Sequence, residues 1–267
     1  MLRAADVTFG YGERTVLDRV SFEVPSGGFA GIIGPNGSGK TTLLRLLSGS
    51  RKPQRGTVTM DGRDLASMPR LAIARRMAVV PQETHLAFEY TVLEVVLMGR
   101  YPHLGPFAIE GPEDAAIARQ ALASTGTLPL EHRAFSTLSG GEKQRVIIAS
   151  ALAQIGTPDE GSVVLLDEPT AALDLKYQIE IGSLLRTLHE RHGLTIVLST
   201  HDLNFAAALC DTLVMLKEGR VLGAGAVGEV LTPGNVRRLY DVEANVTMHP
   251  RTGHLTVVPL RTIGGRQ

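Results

Sequence analysis

The chain has no tryptophan and a single cysteine, Cys210. One thiol cannot close an intrachain disulfide, which suits a reducing compartment. It also has no net charge, because 27 Lys and Arg are matched by 27 Asp and Glu. Non-specific nucleic-acid binding needs a basic face, so nucleic acid is not an expected partner. Long apolar runs are missing as well. No segment approaches the ~20 apolar residues that cross a bilayer, and the longest runs, such as Val163-Val164-Leu165-Leu166, have the length of buried strands. The first residues, Met1 to Asp6, carry no apolar signal core. The expectation is a protein neither secreted nor integral to a membrane. What is present is ordinary globular chemistry, with 43% hydrophobic and 20% charged residues over 267 positions. That suffices for one large domain, or a domain with a subdomain, and excludes a disordered or fibrous chain. Glycine is the one excess: 29 residues, above the ~7% of average usage, and it falls in clusters.

The first 30 residues alternate polar and apolar (Ala5, Val7, Phe9, then Val16, Val20, Phe22, Val24). This predicts antiparallel strands, with turns at Gly10-Tyr11-Gly12 and Pro25-Ser26-Gly27-Gly28. Phe29 to Ile33 reads as a buried strand, followed by a Gly-rich loop and a helix from Thr41 to Ser48. Further strands are expected at Gly56 to Met60 and Met77 to Val80. From about Thr91 to Leu152 the patterns are mostly helical. Val163 to Leu166 and Thr195 to Leu198 read as parallel core strands joined by a helix over Leu175 to His192. Short strands return from Thr212, with a small helix near Asn235 to Tyr240 and strand-like residues to Leu260. Cys210 is expected in the core, and His103, His249 and His254 on the surface.

Gly34-Pro35-Asn36-Gly37-Ser38-Gly39-Lys40-Thr41-Thr42 fits G-x-x-x-x-G-K-[ST], between a predicted strand and a predicted helix. Such glycines let successive amides turn inward on phosphate oxygens, and the helix that starts there points its positive end at the same anion. Lys40 would bridge the β- and γ-phosphates and Thr41 would bind Mg²⁺. Leu165-Leu166-Asp167-Glu168 ends a buried strand in two carboxylates, which is costly unless they meet a cation. Asp167 would hold Mg²⁺ through water, and Glu168 would polarise an attacking water. The guanine-reading N-K-x-D is absent, which favours ATP. Leu138-Ser139-Gly140-Gly141-Glu142 opens a second helix with a hydroxyl and free glycine amides. Two head-to-tail copies would use both anion cradles on one ATP.

With these segments in this order, the chain resembles the ATP-binding subunits of ABC transporters. The resemblance implies an α/β fold. It has a P-loop NTPase core, an N-terminal antiparallel β subdomain and an inserted helical subdomain. Expected boundaries are a core over 1–90 and 153–240, a helical subdomain over about 91–152, a C-terminal β extension over 241–260 and a tail over 261–267. Tyr11 stands where the family stacks an aromatic on adenine, and Gly34 to Thr42 is its Walker A loop. Gln82 matches its Q-loop and Ser139, Gly140 and Gly141 its signature, with Glu142 where Gln is commoner. Val163 to Glu168 is its Walker B strand, Ala172-Leu173-Asp174 its D-loop and His201 its switch histidine. The implied mechanism closes a homodimer on two ATP. Glu168 acts as the main catalytic carboxylate, His201 contacts the γ-phosphate, Gln82 senses γ-phosphate and Mg²⁺, and Asp174 links the two sites.

The run Thr91-Val92-Leu93-Glu94 to Gly99-Arg100-Tyr101-Pro102-His103 looks like importers of iron(III)-siderophores, haem and cobalamin. His201-Asp202-Leu203-Asn204 and the ending around His249-Pro250 and Val257-Val258-Pro259 agree. That resemblance implies a peripheral ATPase on the cytoplasmic face of the membrane. Its partners would be an integral permease and, indirectly, a periplasmic or lipoprotein substrate-binding protein. Leu86, Phe88, Val95 and Met98 are candidates to receive a permease helix, at least half of them as subdomain core. An exporter subunit, another importer or a soluble regulatory ABC ATPase are the alternatives. The polar link from Ile155 to Ser162 reads as a surface loop longer than usual.

Overall fold

The computed structural model describes all residues except 85, 157–160, 172 and 264–267. The middle of the expected polar link, Ala172 of the D-loop segment and the last four residues of the expected tail lie outside the described residues. The chain divides into two compact units, Met1–Ser67 with Ile196–Gln267, and Met68–Thr195.

The first unit opens with β1 (Leu2–Tyr11) and β2 (Arg14–Val24), paired antiparallel. β4 (Arg55–Met60) lies on the other side of β1, with the two-residue β5 (Arg63–Asp64) beside it. Leu2, Ala4, Val7 and Phe9 of β1 are buried. The alternation slips at register shifts between Ala4 and Val7 and again near Phe9, where Asp6 has a left-handed φ of 49°. β1 runs through Gly10 and Tyr11, two residues into the predicted turn. β3 (Phe29–Ile33) lies between β8 (Thr195–Thr200) and β9 (Thr212–Lys217), parallel to both. β10 (Arg220–Ala226) pairs antiparallel with β9. Every residue of β3 and β8 is buried, as expected of near-continuous apolar runs in a sheet covered on both faces.

α1 (Lys40–Leu47) buries six of its eight residues, and α7 (Leu203–Leu209) follows β8. Cys210 is buried, as expected. α8 (Val227–Val230) and α9 (Pro233–Tyr240) precede a hairpin of β11 (Val242–Met248) and β12 (Leu255–Thr262). Thr232 caps α9 with Pro233 in its first turn, which meets the steric preference of a helix start.

The second unit begins with α2 (Arg70–Ala74) and the parallel pair β6 (Met77–Val80) and β7 (Val163–Asp167). Between these strands the chain forms α3 (Val92–Leu97), a 3₁₀ turn over Met98–His103, α4 (Pro112–Ser124) and α5 (Gly140–Ile155). α6 (Leu175–His192) follows β7 and ends on Gly193 in the left-handed region.

Three helix starts use a carboxylate at the third position. Glu94 and Glu142 complete capping boxes with Thr91 and Ser139, and Asp114 accepts the Gly111 N–H at 3.1 Å. Each bonds amides that have no partner inside the helix. All three carboxyls are held below their usual range, chiefly by the backbone N–H each accepts.

The Gly99-Arg100-Tyr101-Pro102-His103 run ties the helices together. Arg100 is buried, with Nε 3.0 Å from Asp114 Oδ1 and Nη1 donating to the Ala153 carbonyl at 2.7 Å. His103 Nε2 lies 2.7 Å from the Gln154 carbonyl oxygen and the residue is half-buried. His103 is therefore not the plain surface residue that its sequence suggests. The last turn of α5 contains no basic residue, and the partners of its carbonyls come from this distant run.

Candidate nucleotide site

β3 delivers the chain to the Gly-rich loop and α1 carries it away. A Cβ added at Gly34 would strike the Leu216 carbonyl oxygen and lie 2.8 Å from Ser38 Oγ, so only glycine permits this close backbone approach. Gly39 sits at φ 107° as the residue before α1. No side chain caps α1, and its first turn holds no acidic residue. Its leading amides and positive end therefore suit an anionic ligand. Lys40 is buried, with Nζ donating to the carbonyls of Gly34 at 2.9 Å and Pro35 at 3.3 Å. Ser38 Oγ is buried with no hydrogen-bond partner among the described residues. A buried cation, an orphaned hydroxyl and an uncapped helix start are the donor set that a triphosphate would satisfy.

The same unit places Tyr11 and His201 near this loop. Tyr11 ends β1, packs edge-on against Phe9 with centroids 5.1 Å apart, and is 43% exposed. Its hydroxyl takes a long hydrogen bond of 3.4 Å from Arg45 on α1. Hydrogen bonds with Arg45 and then Thr42 hold its pKa below the usual phenol range. Ile33 pairs with Thr200 in the parallel register of β3 and β8. Gly34 and His201 thus leave neighbouring strands at the same level, both at carboxyl ends, where open α/β sheets bind their ligands.

The second unit repeats that arrangement. Val80 of β6 pairs with Leu166 of β7, so Gln82 and the Asp167-Glu168 pair follow adjacent strand ends. Asp167 is 7% exposed. Glu168 takes a left-handed φ of 45°, a backbone state of the kind that clusters at functional positions. Gln82 is exposed.

Ser139 caps α5: its Oγ accepts the Glu142 N–H at 3.4 Å and the Glu142 carboxylate accepts the Ser139 N–H at 2.8 Å. The departure from Gln at Glu142 thus keeps the capping function and adds an acid to the helix start. Gly141 is buried against the Tyr177 ring of α6, and a Cβ on Gly140 would lie 3.2 Å from Leu173. Asp174 precedes α6, exposed and without a side-chain capping bond.

Of the permease-facing candidates, Val95 is core, Leu86 and Met98 are half-buried and Phe88 is 74% exposed, edge-on to Tyr90. Sequence reasoning passed over Arg100 as a tie between helices and Asn204 and Tyr240 as contacts of the His201 segment. Their partners lie tens of residues away, and no local pattern marks them.

The fold and these motifs define an ATP-binding cassette. The ABC transporter family matches residues 17–171, and the chain belongs to that family. It is 44% identical over 262 residues to a hemin import ATP-binding protein of Gloeobacter violaceus, covering 97% of this chain and 94% of that one. It is 39% identical to the ferric enterobactin transport ATP-binding protein of Escherichia coli K12, covering 97% and 94%. A solved structure of a metal-chelate type ABC transporter in an inward-facing conformation superposes with a TM-score of 0.84 at 31% identity, covering 97% of this chain and 96% of that chain. Among the described residues no helix is long and apolar enough to cross a membrane.

Proposed function

We propose that this chain is the ATPase that drives a membrane importer of an iron complex, haem or cobalamin. The observation that carries the ATP site is the buried Lys40 behind a Gly-rich loop, at a helix start that no side chain caps. The names of the relatives support the direction of transport and the cargo class. In this reading residues Gly34 to Thr42, with Gly37 and Asn36 at the tip of the loop, bind the phosphates. Tyr11 stacks on the adenine. Thr41, Gln82 and Asp167 hold Mg²⁺, which supplies charge neutralisation on the phosphates. Glu168, the main catalytic carboxylate, polarises the attacking water. His201 contacts the γ-phosphate. Ser139, Gly140 and Gly141 serve the nucleotide held by a second copy, and Asp174 contacts that copy.

The energy for transport comes from differential binding: ATP must favour the closed homodimer over the open one. The exposed Phe88 supports a docking surface for a permease helix. A substrate-binding protein outside the membrane would choose the cargo, and the ATPase would sit peripherally on the cytoplasmic face. The test is a pull-down of tagged Glu168→Gln from detergent-solubilised membranes with Mg-ATP, and the visible spectrum of the complex with its binding protein. A many-helix permease, with haem, corrinoid or ferric-siderophore absorbance, is expected. A permease that co-purifies without any binding protein points to an exporter. A chain that brings down no membrane protein overturns the transport reading and favours a soluble regulatory ATPase.

A further inference from the structure

We infer that the C-terminal hairpin positions His201 through Asn204 and Tyr240, an inference that rests on the reading of His201 as the γ-phosphate contact. The Asn204 side chain engages one residue of β12 twice. Its Oδ1 accepts the Val257 N–H at 2.7 Å, and its Nδ2 donates to the Val257 carbonyl at 3.2 Å. In an antiparallel pair a residue exchanges both backbone bonds with its partner or turns both away. Val257 stands opposite Val246 and gives both to Asn204. The asparagine amide thus acts as a one-residue third strand on the outer edge of the hairpin.

The second tie lies on the other side of His201. Tyr240, the last residue of α9, donates its hydroxyl to the His201 carbonyl at 3.3 Å. Tyr240 is itself fixed, because Lys217 at the end of β9 bonds the Arg238 carbonyl and the Asp241 carboxylate, both at 2.8 Å. The segment around His201 is short and locally stiff. Thr200 Oγ1 accepts the Asp202 N–H at 3.0 Å, and Asp202 caps α7 through the amides of Asn204 and Phe205. Between the ties lies a cavity of about 380 Å³ with apolar walls that include Leu203, Val236, Ala244 and Val257. Val236, Ala244 and Val257 are buried, so apolar contact brings hairpin and helix together and the two directional polar ties fix how they meet. The hairpin is thereby a splint for the backbone that carries the histidine, and Asn204 and Tyr240 are positioning residues.

The experiment is a double-mutant cycle on the full chain, with steady-state ATPase kinetics, single-turnover rates and thermal melts for each variant. Asn204→Ala is expected to lower kcat about fivefold and Tyr240→Phe about threefold, the span of one lost hydrogen bond, with KM for ATP held within about twofold. In a His201→Ala background neither substitution lowers the residual single-turnover rate further, because each acts through that histidine. Wild-type kcat in both variants overturns the inference, as does a full additive loss on top of His201→Ala. His201→Ala turning over at the wild-type rate sinks the reading of His201 and this inference together. A slow His201→Ala with normal Asn204→Ala and Tyr240→Phe sinks the inference alone. If Asn204→Ala fails to fold, the Tyr240→Phe cycle decides, since it removes one hydroxyl and keeps the ring.

Discussion

Gly141→Ala adds one methyl where the α5 start meets α6. That Cβ would lie 2.6 Å from Tyr177 Cγ and 2.9 Å from Cε1, and closer still to Cδ1, whereas ordinary contact begins near 3.4 Å. The ring must move by most of an ångström or α5 must back away. Overpacking of this kind costs about 1–3 kcal/mol. Against it stands the gain of alanine over glycine in a helix, at most ~1 kcal/mol. Tyr177 is half-buried, so the ring can swing towards solvent, which limits the penalty. The net expectation is destabilisation by about 1 kcal/mol. Urea unfolding of wild type, Gly141→Ala, Tyr177→Ala and the double variant measures it. In the Tyr177→Ala background the clash is gone, and Gly141→Ala should become neutral or stabilising. The coupling between the two positions should then be about 1–3 kcal/mol. A Gly141→Ala effect of the same sign and size in both backgrounds would refute the packing argument, and stabilisation in the wild-type background would refute it outright.

Glu168→Gln should retain ATP binding and lose nearly all turnover, accumulating an ATP-bound dimer by size-exclusion chromatography. Hydrolysis at the normal rate would remove Glu168 from its role. Arg100→Ala leaves the half-buried Asp114 without its cation and the Ala153 carbonyl without its donor, so a loss of about 1.5–3 kcal/mol is expected in denaturant unfolding. A loss below about 1 kcal/mol would mean that the pair is dispensable. Acid should weaken the chain through Glu94, Asp114 and Glu142, whose folded pKa values are depressed chiefly by backbone N–H groups. The unfolded chain binds these protons more readily, so their contribution is complete above the ordinary carboxylate range. It fades as pH falls through the depressed folded values. Replacing Glu142 by Gln should flatten that part of the pH–stability curve, and an unchanged acid limb would exclude the box as a contributor.

The phosphate loop could be read from the chain because its chemistry is contiguous. Gly34, Gly39 and Lys40 occupy one turn, and the strand before and helix after have the apolar patterns that identify them. Ser139 was legible for the same reason, as the first residue of a Ser-Gly-Gly helix start, whereas the bond that Glu142 returns to the Ser139 N–H came only with the structure. Val95 and Phe88 were not separable, because both are apolar within one short stretch and only packing buries the first and exposes the second. His103 looked like a surface residue until the carbonyl of Gln154, 51 positions away, came beside its ring.

The sequence by itself determined the strand–loop–helix of the phosphate site, the acidic strand end at Asp167 and Glu168, and the family to which the chain belongs. Each rests on spacing of a few residues, where backbone geometry leaves few choices. Only the tertiary structure decided which residues share a strand-end level, as Gly34 does with His201 and Gln82 with Asp167. The same holds for the ties of Arg100 to Asp114 and of Asn204 to Val257. Pairing register and buried hydrogen bonds join residues distant in sequence, and their energy appears only when the folded backbone brings donor and acceptor within reach.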